Sequence, residues 1–243
     1  MRARFQCDGS DLCEELRGSS ATAFSLVYQG DPESRTICAT AHLRVLADLS
    51  PLCVGHLLLL PIEHYPSFAR LISDGSAELA DLLAEIVPRY LDTFGALTIV
   101  EHGSSLDMTS TACISHAHWH LLPIAGGAVN RLILADGLTP VEVPSLDDLP
   151  SVGGQGSYFF CLDDTGMRLY RAESHVRGQY LRSIVGRILG IPDPLWDYSV
   201  SIRPELLRET MVRTSRWSSD VAGNATSHVA RVGRSTPATF RRT

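Results

Sequence analysis

Ser115-His116-Ala117-His118-Trp119-His120-Leu121-Leu122-Pro123 places three of the chain's nine histidines at alternate positions. Residues two apart on a β-strand share a face and lie about 6–7 Å from each other. A strand over Ile114 to Ile124 would therefore project His116, His118 and His120 to one side. Ala117, Trp119 and Leu121 would face the other.

Three chemistries compete for such a row. An exposed polar face of an edge strand has no need of histidine at every position. A metal site could use two adjacent imidazoles, but His116 and His120 stand about 13 Å apart along a strand. A third ligand such as His56 would have to come from another strand, and no carboxylate or cysteine sits at motif spacing beside the row. The third chemistry is covalent catalysis on phosphate. An imidazole with a pKa of about 6.5 is largely neutral at pH 7 and can attack phosphorus. Flanking imidazoles, when protonated, supply charge to phosphate oxygens or a proton to a leaving group.

His116-Ala117-His118-Trp119-His120-Leu121-Leu122 resembles the signature of the histidine triad (HIT) family at all seven positions. Upstream, Asp48-Leu49-Ser50-Pro51 and Gly55-His56-Leu57-Leu58-Leu59-Leu60-Pro61-Ile62-Glu63-His64 are similar to a second landmark of that family. The resemblance covers roughly residues 35–125. It implies an α+β fold with an antiparallel sheet and one long helix, and a nucleotidyl hydrolase or transferase acting at the α-phosphate of a nucleoside polyphosphate or phosphoramidate. Diadenosine polyphosphates are the default substrate class that the family suggests. Carried over, His118 is the nucleophile, His116 and His120 flank it, and His56 lies beside them. Asp48 matches an acid used on ribose hydroxyls, a role that suits a carboxylate acceptor. The third histidine, His120, groups the chain with hydrolase-like branches, since uridylyltransferase relatives carry Gln there.

Departures from the family pattern point to further candidates. Glu101-His102-Gly103 is similar to the polar-x-Gly segment before the triad, so Glu101 joins the substrate-binding candidates and His102 carries no assignment. The stretch from Glu101 to His118 is about four residues longer than in the smallest members by that comparison. Ala112 and Cys113 replace an amide and a hydroxyl that could donate to phosphate, a loss that Ser104, Ser105, Thr109 or Ser110 could make good. His64 is a further site candidate. His42, His175 and His228 have no companion. The covalent step requires no metal, so no cofactor is expected. Two other classes stay open: a catalytically poor nucleotide-binding or interaction protein, and a zinc-dependent enzyme using the histidine row. The resemblance also implies a homodimer, whose interface the C-terminal residues could occupy or extend.

Composition bounds these readings. The 243 residues are 44% hydrophobic and 20% charged, enough for one sizeable core. Twenty-one Lys and Arg against 27 Asp and Glu give a net charge of -6, which argues against a nucleic-acid coat. No apolar run approaches the roughly 18 residues of a membrane span, and the first residues lack a secretory pattern, so a cytoplasmic protein is expected. The six cysteines are scattered in the manner of reduced thiols, and Cys7 and Cys13 are too far apart for the usual zinc pair.

Turn clusters and shifts in composition divide the chain into 1–125, which the resemblance implies is a HIT-like catalytic domain, a linker over 126–156, a small α/β C-terminal extension over 157–213 and a flexible basic tail over 214–243. Strands are expected at Thr22–Gln29, Thr36–Ala47, Val54–Ile62, Ala96–Val100 and Ile114–Ile124. An amphipathic helix spans Ser76 to Phe94, with Pro88 as a kink point and Gly95 as its stop. In the extension, Asp163-Asp164-Thr165-Gly166 signals a hairpin, and Val176 to Leu189 reads as a helix. Arg182 or Arg177 on that segment could reach a polyphosphate bidentately. The linker is marked by crowded turn residues, and the tail by five arginines against Asp220.

Overall fold

Leu57–Pro61 is apolar throughout because both faces of the strand it forms are covered. In the computed structural model, which describes residues 9–75, 77–104, 116–153, 156–172 and 177–217, this strand lies inside an eight-stranded sheet. The strands are β1 (Thr36–Ala39), β2 (Leu43–Ala47), β3 (Leu57–Pro61), β4 (Thr98–Gly103), β5 (Trp119–Leu122), β6 (Pro140–Glu142), β7 (Tyr158–Asp163) and β8 (Gly166–Arg171). Their spatial order is β1-β2-β3-β5-β4-β7-β8-β6, antiparallel at every pairing. The helices are α1 (Asp11–Leu16), α2 (Ala23–Tyr28), α3 (Phe68–Ser73), α4 (Ala77–Phe94), α5 (Ala128–Ala135), α6 (Leu149–Gly153), α7 (Tyr180–Ile188) and α8 (Pro204–Thr214).

Alternation along each strand sorts the side chains into separate cores. Leu57, Leu59, Ile99, Trp119, Leu121 and Phe160 pack with Leu79, Leu82, Ile86 and Tyr90 of α4. On the opposite face Val100, Leu122, Phe159 and Cys161 pack with Ile133 of α5 and Leu181, Ile184 and Val185 of α7. Farther along that face, Leu46, Leu58 and Leu60 meet Leu12 of α1. The α+β class holds, with helices on both faces of one sheet. Among the described residues no helix is long and apolar enough to cross a membrane.

Several expected elements change. Thr22–Gln29 is not a strand: the Thr22 hydroxyl accepts from Ser25 N and caps α2, whose Phe24 and Tyr28 lie one turn apart and buried. Thr36–Ala47 is a hairpin, broken where Thr40 N donates to Leu43 O and Leu43 N to Thr40 Oγ1. Helix α4 runs through Pro88 without interruption, and α7 begins at Tyr180, later than Val176.

Residues 126–156 are also not a linker, since they hold α5, β6 and α6. Edge strand β6 pairs with β8, and Pro140 opens it, where a missing N–H costs no ladder bond. Strand β7 pairs directly with β4, Ile99 opposite Leu162 and Gly103 opposite Tyr158, so the second half of the chain widens the same sheet. At Gly103 an added Cβ would lie 2.2 Å from the Tyr158 ring, so this close strand contact requires glycine. Residues 214–217 belong to the folded body. Trp217 packs on Tyr90 and Phe94 and accepts from Arg89 Nη1 at its carbonyl, 2.8 Å away. Residues 218–243 lie outside the described residues.

Candidate active site

Strand β5 begins at Trp119, so the three histidines are not one row on a strand. His120 is inside the strand, opposite Leu58 of β3 and Val100 of β4. His118 lies just ahead of it, its ring centroid 4.9 Å from that of His120 in an edge-on arrangement. His116 is two residues farther from the strand and turns elsewhere.

Hydrogen bonds assign the tautomers around His118 and His120. Leu52 N donates to His56 Nδ1 over 3.2 Å, so the His56 proton is on Nε2. That nitrogen lies 2.9 Å from His120 Nδ1, which must accept, leaving the His120 proton on Nε2. His118 Nδ1 lies 2.7 Å from the His116 carbonyl and donates to it, so His118 Nε2 carries the lone pair. Among the described residues Nε2 has no hydrogen-bond partner. Of the three unprotonated nitrogens, those of His56 and His120 already accept, so among the described residues only His118 Nε2 is left with an unengaged lone pair, beside a histidine whose N–H is backed by a second histidine. Burial lowers the pKa of all three rings, His56 to about 4 and His120 well below its ordinary value.

Asp48, expected at a ribose, is instead 6% exposed and engaged inside the protein. Its Oδ1 accepts from Ser50 N at 2.8 Å and from Arg182 Nη1 at 3.3 Å. Its Oδ2 lies 3.7 Å from His56 Nε2 and 3.9 Å from His120 Nδ1. Burial alone would raise its pKa, but His56, Arg182, His120 and Arg35 together hold the carboxyl well below the usual carboxylate range. Arg182, 7% exposed, is committed to Asp48 and to two backbone carbonyls and is not free to grip a polyphosphate. Arg177 is exposed, pairs with Asp193 and lies over the Trp196 ring.

His116 and His64 form a different group with Cys13. His116 Nε2 donates to Pro61 O at 2.7 Å, so its Nδ1 lone pair faces Cys13 Sγ at 3.0 Å. His64 Nδ1 is 3.2 Å from the same sulfur, and the two rings meet edge-on. His116 therefore does not flank His118 with its side chain, because its ring is turned to Pro61 O and Cys13. One thiol and two imidazoles within 4.8 Å form a donor set suited to a soft divalent cation. Asp48, His56 and His120 are equally close together, but the guanidinium against Asp48 and the bond between the two imidazoles leave a cation little to bind.

Glu101, another substrate candidate, is a core residue. It is fully buried and accepts from Phe68 N at 2.7 Å, Tyr158 OH at 2.8 Å and Trp119 Nε1 at 3.1 Å, tying β4 to α3, β7 and β5. Burial pushes it up to about 7 against those three donors. Ser104 directly follows β4, and its amide donates to Pro66 O. Ser105, Thr109, Ser110, Ala112 and Cys113 lie outside the described residues.

The residue left unassigned from sequence is His102. It lies two positions beyond Val100, which pairs with His120, on the face shared by His120 and Leu122. Burial lowers its pKa to about 4, and the charge of His118 adds to the effect, placing the two histidines within electrostatic reach. The even spacing from Val100 was a usable signal once β4 and β5 were paired.

No family model matches the chain, and no curated protein matches it. Among solved structures it is similar to a HIT-like protein of Bartonella henselae involved in cell-cycle regulation, at 15% identity over 43% of this chain and 79% of that one, with a TM-score of 0.32. It is also similar to a hypothetical histidine triad nucleotide-binding protein of Sulfolobus tokodaii, at 22% identity over 41% and 66%, TM-score 0.31. A histidine triad protein of Clostridium difficile is similar at 17% identity over 49% and 92%, TM-score 0.31.

Proposed function

We propose that the chain binds a nucleotide and hydrolyses it, or transfers its nucleotidyl group, through a covalent adduct on His118. The observation that carries this reading is the tautomer of His118, with Nδ1–H held by the His116 carbonyl and Nε2 unprotonated. In the first step Nε2 attacks the α-phosphorus, forming a P–N bond as the bond to the leaving oxygen breaks. A leaving polyphosphate keeps that electron pair as an anion. His120 donates its Nε2–H to a phosphate oxygen as a hydrogen bond while its Nδ1 accepts from His56. In the second step water or an acceptor hydroxyl attacks phosphorus, the P–N bond breaks, and the pair returns to His118. The acceptor's proton leaves to solvent. Every step uses side chains of this protein, and the resemblance of its two sequence landmarks to the HIT family supports the same chemistry.

The test is intact-protein mass spectrometry after brief, acid-avoiding exposure to diadenosine tetraphosphate, with product chromatography alongside. An adenylyl-sized mass increase or AMP release in the wild type, absent in His118→Ala and His118→Gly, is expected. Saturable nucleotide binding with neither adduct nor product would replace this reading with that of a binding protein.

A further inference from the structure

Arg182 belongs to α7, in the half of the chain outside the two landmarks, yet its guanidinium ends beside the histidines. Nε donates to Trp196 O at 3.2 Å, Nη1 to Asp48 Oδ1 at 3.3 Å and Nη2 to Ser50 O at 2.7 Å. The backbone is arranged to hold it there. One turn along α7, Gly186 lies so close to Trp196 that an added Cβ would be 2.7 Å from the Trp196 Cβ, and this approach places the Trp196 carbonyl under Arg182. Tyr180 OH secures the start of the helix by donating to Asp136 Oδ2.

A buried Arg–Asp pair contributes little stability on balance, because desolvation offsets the attraction. Its location suggests a different role. Asp48 is the carboxylate nearest both members of the His56–His120 pair, at 3.7 Å and 3.9 Å. Alone, a buried carboxylate at that distance would draw a proton onto the imidazoles. A doubly protonated His56 would lose its bond from Leu52 N, and a His120 charged at Nδ1 could no longer accept from His56.

We propose that Arg182 is a positioning residue: by pairing with Asp48 it fixes the carboxylate and offsets its charge, so that His56 and His120 remain a neutral, one-directional hydrogen-bond chain. The consequence for catalysis rests on the function proposed above. The proposal also explains why α7 covers this end of the sheet, closing the space lined by Leu52, His56, Val100, His120, Leu122 and Leu181. The other charged or titratable groups facing the pair come from every neighbouring segment. They are His118 beside β5, Arg35 ahead of β1, which is itself held by Glu15, and Tyr28 and Cys53, which burial and then Asp48 push up to about 12 and so keep neutral.

The experiment follows the ring ¹⁵N resonances of His56 and His120 from about pH 4 to 8 in the full chain, in Arg182→Gln and in Arg182→Gln/Asp48→Asn. In the wild type both rings stay neutral over most of that range, with the His56 proton on Nε2, and His56 takes up a second proton only towards about pH 4. In Arg182→Gln the pair takes up a proton at a midpoint higher by about one pH unit or more. In the double variant, where the carboxylate charge has gone too, the wild-type behaviour returns. Equal midpoints in Arg182→Gln and wild type would overturn the proposal. So would a raised midpoint in the double variant, which also decides the matter if Arg182→Gln does not fold. Arg182→Lys, which restores the charge, brings the midpoint back towards wild type. Ring protonation is read without turnover, so a chain that forms no adduct retires the proposed function and leaves this inference standing. Matching titrations in an active enzyme retire this inference alone.

Discussion

His116 and His120 are four residues apart, and each is packed against another histidine, yet the two pairs differ in chemistry. His120 accepts from His56 beside an Asp48–Arg182 ion pair, and next to it the His118 lone pair meets no hydrogen-bond partner among the described residues. His116 sends its proton to a backbone carbonyl and turns its lone pair to a thiol shared with His64. One group is a directed chain of donors running from Leu52 N through His56 to His120, and the other is a convergent set of donors around one sulfur. Imidazoles alternating in sequence thus acquire opposite roles according to what accepts their N–H. The His116 carbonyl links the two groups: it orients His118 while the side chain of His116 faces Cys13.

The strongest way to break this contrast is to remove His118, the proposed nucleophile. His118→Ala is expected to lower turnover of diadenosine tetraphosphate by at least about 10³-fold, since loss of a covalent nucleophile removes the whole two-step route. Its thermal midpoint should change little by comparison. Kinetics and melting measured on the same preparation check both halves. Residual turnover within tenfold of wild type would assign the reaction to another group.

Acid should act on both groups at once. His56, His102 and His116 are each lowered from 6.5 to about 4. Below pH 6.5 the unfolded chain binds more protons at these positions than the folded one, so their contribution to stability is present above 6.5 and is lost as pH falls towards about 4. Glu101 runs the other way: raised from 4.5 to about 7, it binds its proton better when folded and adds stability as pH falls over that window. Urea midpoints should therefore decrease from pH 7 to pH 5, and decrease more steeply in Glu101→Gln. A flat profile in both proteins would mean that the histidines take up protons without opening the fold.

His116→Ala gives the complementary test. It leaves the His116 backbone carbonyl in place for His118 but removes a buried ring and orphans the Pro61 carbonyl, at a cost of about 1–3 kcal/mol. Denaturant unfolding should register that loss, while kcat per folded molecule falls far less than in His118→Ala. An equal kinetic loss would place the His116 side chain in the reaction after all.

What could be read from the sequence was what local spacing encodes. The alternate histidines, helix α4 and the hairpin of β7 and β8 all follow from short-range periodicity and turn residues. What could not be read depends on tertiary contact. A strand through His116 was expected because the pattern alternates, but Ala117 N donates to Tyr65 O instead, and the ladder starts only at Trp119. Cys13 reaches His116 across 103 positions and Arg182 reaches Asp48 across 134, separations at which spacing carries no signal. Glu101 looked like a substrate ligand because a polar residue precedes Gly103. Three donors from three other elements make it a core tie, and none of them is visible from its neighbours in sequence.

Removing metal provides the finest discrimination between the groups. The sulfur of Cys13 with His64 Nδ1 and His116 Nδ1 is a place where a soft cation would gain ligands. In the His56–His120 pair the facing nitrogens are already joined, and Arg182 already neutralises Asp48. Dialysis against a chelator should therefore leave kcat within about twofold, because any cation lost would come from the donors around Cys13 and not from His118 and His120, which the proposed reaction uses. A lowered melting temperature with kcat retained would locate the cation at Cys13, and Cys13→Ser would reproduce the shift without chelator. A loss of turnover that zinc restores would instead place the cation among His56, His118 and His120, and the division between the two groups would have to be redrawn.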